Sequence, residues 1–75
     1  MQQYKVVPAQ EIEKRLHKTV KEHETLSEQV DELSGKEVIT PEDEMELKRL
    51  RKLKLYKKDM IAYLKSMLRG GTPSE

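Results

Sequence analysis

The stretch Leu33-Ser34-Gly35-Lys36-Glu37-Val38-Ile39-Thr40-Pro41-Glu42-Asp43-Glu44 holds a helix stop followed almost at once by a helix start. Gly35 is a residue that ends helices, here expected to cap one in the left-handed conformation. Thr40 is a good N-cap, and Pro41 suits the first helical position, where the missing N–H costs nothing. Glu42, Asp43 and Glu44 then place negative charge on the positive end of a helix dipole. A connection as short as 35–40 usually joins antiparallel neighbours. The segment therefore reads as the bend of a helical hairpin.

Upstream of it, Ile12, Leu16, Thr19, His23, Leu26, Val30 and Leu33 recur at alternating spacings of four and three. That is a coiled-coil-like heptad seam, in which Thr19 and His23 are the polar members. No Gly or Pro interrupts it, so helix 1 is expected over about 9–34. Downstream, Leu47, Leu50, Leu53, Tyr56, Met60, Ile61, Leu64, Met67 and Leu68 share an arc of about 180°, on a helix expected over about 41–69. Gly70 and Gly71 end it, and residues 70–75 read as a disordered tail. Residues 1–8, with Tyr4, Val6, Val7 and Pro8, read as an extended or frayed leader.

One helical neighbour needs a stripe only a little wider than about 100°. The wider arc of helix 2 points to helix 1 on one flank and a second chain on the other. The expected fold class is thus all-α: an antiparallel two-helix hairpin that pairs into a dimeric four-helix bundle, ahead of a monomeric hairpin or a fold that needs another partner. A chain of 75 residues buries a modest fraction of its surface, and this one has no cysteine, Trp or Phe to reinforce it.

Charged residues are 39% of the chain, fifteen basic against fourteen acidic. Helix 1 carries more acid and helix 2 more base, which favours packing them together. Folding about residue 37 sets Lys54 beside Val20, His23 and Glu24, Lys58 beside Leu16 and Glu13, and Asp59 beside Arg15 and Lys18. Lys54 and Lys57 fall inside the apolar arc. Their stems can be buried with the ammonium groups in water, or Lys54 can pair with Glu24 and set register or oligomeric state.

Specific chemistry is not encoded. His17 and His23 are six apart, whereas a helical metal pair needs three or four. Gly35-Lys36 lacks the upstream glycine and the following Ser or Thr of a phosphate loop. No Ser–His–Asp or Cys–His set can be assembled without a concave scaffold. We expect no enzyme activity, no metal, no cofactor and no small-molecule substrate. The run from Lys48 to Lys58 holds seven positive charges in eleven residues. It supports an alternative reading, a nucleic-acid-binding accessory protein using the basic face of helix 2, but no aromatic stacking platform accompanies it. A membrane surface is disfavoured because a bundle would hide the apolar face. No apolar run approaches the roughly 20 residues of a membrane span, the N-terminus has no apolar signal core, and the default location is cytoplasmic.

Two motifs, His23-Glu24-Thr25-Leu26 with Val30, and Glu46-Leu47-Lys48-Arg49-Leu50-Arg51-Lys52-Leu53-Lys54-Leu55 with Lys58-Asp59-Met60-Ile61, give residues 12–68 a pattern that resembles the YdcH-like family of small bacterial proteins of unknown function. His23, Leu26, Leu50, Lys54, Leu55, Lys58, Asp59 and Ile61 fall on that family's characteristic positions. Leu53, Lys57 and Met60 depart from it. The resemblance implies a self-associating helical hairpin from a bacterial cytoplasm and no particular activity. The residues singled out for interaction and register are His23, Glu24, Leu50, Lys54, Lys58, Asp59 and Ile61. The expected partner is a second copy or another helical protein.

Overall fold

A computed structural model describes residues 8–69; the expected tail 70–75 and all of the expected leader 1–8 but Pro8 lie outside the described residues. Helix α1 spans Ala9–Ser34 and helix α2 spans Pro41–Leu68. At 1.5 Å per residue they are rods of roughly 39 and 42 Å. Among the described residues there is no strand, and the two helices pack against each other.

Each terminus follows from local chemistry. The extended Pro8 offers its carbonyl to the backbone N–H groups of Glu11 and Ile12, at 3.0 and 3.2 Å. Thr40 and Asp43 form a reciprocal capping box. The Asp43 N–H donates to Thr40 Oγ1, and the Thr40 N–H donates to Asp43 Oδ2, both at 3.1 Å. Two of the donors a helix start leaves unpaired are thereby satisfied. Lys36 donates to the same Asp43 carboxylate at 2.8 Å and ties the connection to the cap.

Gly35 corrects one expectation. Its φ of −87° and ψ of −1° are right-handed, not left-handed. Its N–H donates to Asp31 O, and the Lys36 N–H then reaches Leu33 O at 3.3 Å. The chain leaves α1 by tightening its last turn, a route that needs no positive φ.

The seam of α1 faces inward as its spacing requires. Ile12, Thr19 and Val30 are buried, and Leu16, His23, Leu26 and Leu33 are half-buried. Thr19 satisfies its hydroxyl within α1 by donating to Arg15 O at 2.7 Å. On α2 the buried side chains are Leu47, Leu50 and Leu64. Val30, Leu47 and Leu50 form the core cluster, with Leu26 and Leu33 packed on it. Leu53 and Tyr56, also members of the expected apolar arc, are exposed at 36% and 56%.

The register also differs from a fold centred on residue 37. Lys57 reaches back to α1, and its ammonium meets Glu22 Oε1 at 2.8 Å. No ion pair within 4.0 Å joins Lys54 to Glu24, Lys58 to Glu13, or Asp59 to Arg15 or Lys18. The connection is extended at Thr40 (ψ 164°), and the first buried α2 side chain is Leu47. The packing of Val30 on Leu47 and Leu50 and the Glu22–Lys57 pair both sit at higher α2 numbers than a fold centred on residue 37 gives.

Candidate interaction surface

Leucines and methionines on a helix bury one stripe against one neighbour, and α2 has more than one stripe to bury. Besides the row that meets α1, Leu53, Tyr56, Met60, Tyr63 and Met67 recur at spacings of three and four along its flank. Tyr56 and Tyr63 are 56% and 49% exposed, while Met60 and Met67 are half-buried. Arg49 continues the row upward, and Met45, 72% exposed, lies at its upper end. No side chain among the described residues is sealed off completely, so the hairpin core is thin throughout.

Between this flank and α1 lies a groove of 430 Å³. Its floor is Ile12, Met60, Leu64 and Met67, and Arg15 and Lys18 stand on its α1 side. A broader depression of 1110 Å³ follows α1 from Gln10 to Thr25 and touches Leu26, Leu53 and Lys57. The two share Lys18, Glu22 and Lys57, and the Glu22–Lys57 ion pair bridges the helices near mid-length. The hydrogen bond from Lys57 holds the Glu22 carboxyl below its ordinary value of 4.5. The Lys57 ammonium also lies 5.9 Å from the Tyr56 ring centroid, at the outer limit of a cation–π contact. Arg49 donates twice to Glu46, at 3.2 and 2.6 Å, and lowers that carboxyl in the same way.

The residues singled out from sequence scatter around α1 and α2. Leu50 is in the core, 3% exposed. His23, Lys54 and Ile61 are half-buried, and Glu24, Lys58 and Asp59 face outward. They are not brought together into one site. Met45 and Tyr63 escaped notice, as did the Glu22–Lys57 pair. Tyr63 carried a readable signal, four residues before Met67 and three after Met60. Glu22 carried none, since it stands beside the seam rather than in it.

Among the described residues no group of three or more His, Asp or Glu could hold a metal ion, and no buried side-chain polar atom lacks a hydrogen-bond partner. No described helix is long and apolar enough to cross a membrane. The chain matches no protein-family model, no curated protein and no solved structure. Fold and surface together define a helical hairpin with a partly covered apolar flank on α2.

Proposed function

We propose that the chain is a self-association module, a helical hairpin whose α2 flank pairs with a second copy to complete a four-helix bundle that serves protein–protein interaction. One observation carries this reading: the row Leu53, Tyr56, Met60, Tyr63 and Met67 has coiled-coil spacing, and α1 covers it only in part, leaving Tyr56 and Tyr63 about half exposed. Exposed apolar side chains at single positions are ordinary, whereas a continuous row along a helix marks an interface. The resemblance to YdcH-like proteins belongs to the same reading and rests on the His23–Leu26 and Leu50–Ile61 motifs alone.

Sedimentation equilibrium of the full chain tests it. The expected species has twice the chain mass of 8.8 kDa, and Tyr56→Glu with Met60→Glu lowers its association constant by roughly a hundredfold or more. A single 8.8 kDa species at every concentration would refute self-association. A salt-sensitive mobility shift with DNA or RNA, abolished by charge reversal at Lys52 and Lys58, would instead favour nucleic acid as partner.

A further inference from the structure

Folding sorts the charges of this chain by end. Between Glu22 and Glu46 lie ten acidic residues and one lysine, Lys36. Among the remaining described residues thirteen are basic and three are acidic. The bend at 35–40 brings the acidic end of α1 beside the acidic start of α2. The rod is therefore negative at its turn end and positive at its open end, although the whole chain is close to neutral.

Resting on the self-association reading above, we propose that the second copy lies antiparallel, with its turn end against the open end of the first and the two-fold axis passing near Tyr56. Three observations converge on this arrangement. Parallel pairing would place like-charged ends together, and antiparallel pairing places opposite ones together, which is how charge selects orientation. The row is also self-complementary under the antiparallel operation, as a two-fold interface must be. Reversing α2 about Tyr56 sets Met45 opposite Met67, Arg49 opposite Tyr63, and Leu53 opposite Met60 within one residue. Finally, the groove at the open end has an occupant of matching chemistry. Met45 protrudes from α2 beside Glu42 and the Arg49-paired Glu46, and the groove has an apolar floor flanked by Lys18, by Arg15 paired with Glu11 at 3.7 Å, and by the Glu22–Lys57 pair. A hairpin side about 42 Å long and about 20 Å wide offers on the order of 800 Å² per partner, the size of a standard stable interface.

The chain has no cysteine among its residues, so single cysteines report proximity without background. We would introduce Tyr56→Cys, Met45→Cys and Met67→Cys separately into the full chain, confirm helicity and mass, and oxidise. Tyr56→Cys should cross-link to itself. A mixture of the Met45→Cys and Met67→Cys chains should form the mixed disulfide at least about tenfold faster than Met45→Cys joins its own kind, because proximity sets the effective concentration. Those two like cysteines would lie on the order of 33 Å apart. Raising salt should weaken the dimer several-fold as screening removes the attraction between ends. A dimer in which Met45→Cys pairs with itself, or which tightens with salt, overturns the antiparallel arrangement while leaving self-association standing. A ladder of higher oligomers means end-to-end growth and overturns it likewise. A monomer at all concentrations overturns both.

Discussion

Leu50 is the most buried residue of the described chain, and it sits where Val30 and Leu47 meet. Truncating it removes a large part of a small core. Leu50→Ala should lower stability by about 3 kcal/mol, within the range for a buried leucine that leaves a cavity. Domains of this size have little more than that to lose. Urea unfolding followed by circular dichroism is the direct measurement, and a change under about 1 kcal/mol would mean that the cluster is not the core. Gly35 is a contrasting case. Its right-handed conformation is open to any L-residue, and an added Cβ would meet the backbone Asp31 O at 3.2 Å, close enough that the carbonyl must give by a few tenths of an ångström. Gly35→Ala should shift stability by no more than about 0.5 kcal/mol, since the entropy removed from the unfolded chain offsets the close contact. A loss of about 1–2 kcal/mol, the cost of forcing a side chain into a left-handed cap, would contradict the tightened turn.

At the scale of the element, α2 is started more firmly than α1. Thr40, Pro41 and Asp43 act together, and Lys36 holds the Asp43 carboxylate from outside the helix. α1 begins on the carbonyl of Pro8 with no side-chain cap. Thr40→Ala should therefore cost about 1 kcal/mol, the usual loss for an N-cap hydroxyl, and should raise amide exchange chiefly in the first turn of α2. Thr40→Ser should recover most of it, because the oxygen is kept. Equal effects of the two substitutions would assign the loss to side-chain packing rather than to the cap. The α1 seam is at least half-buried along its length, whereas the α2 row leaves Tyr56 and Tyr63 about half exposed. That asymmetry between otherwise similar helices is the physical ground for expecting a partner on α2.

For the whole molecule, the carboxyls of Glu22, Asp43 and Glu46 are all held below their ordinary values, by hydrogen bonds from Lys57, Lys36 and Arg49 respectively, with the Thr40 N–H adding to the hold on Asp43. A carboxyl lowered in the folded state adds stability that is fully present above its unfolded value. That stability is lost as the pH falls through the folded value. The ordinary values are 4.5, 3.8 and 4.5, so melting temperature at fixed protein concentration should be level near neutrality and fall once the pH drops below about 4.5. The fall should shrink in high salt, since each pair has at least one side chain more than a third exposed to solvent. A melting temperature that rises on acidification would show that repulsion within the acidic turn end outweighs the three pairs.

The local sequence determined the two rods, because capping and periodicity act over one or two turns. The Leu33–Glu44 stretch stops one helix and starts another, and the α1 row from Ile12 to Leu33 faces inward along its length. The sliding register of one rod on the other was decided in three dimensions. Val30 packs on Leu47 and Leu50, and in that register Lys57 meets Glu22 while no ion pair joins Lys54 to Glu24. Which α2 residues stay uncovered follows from that register, and a count along one helix cannot supply it. The separation of charge by end has the same origin: Glu24 and Glu44 lie far apart in the chain and share a pole only because the hairpin closes.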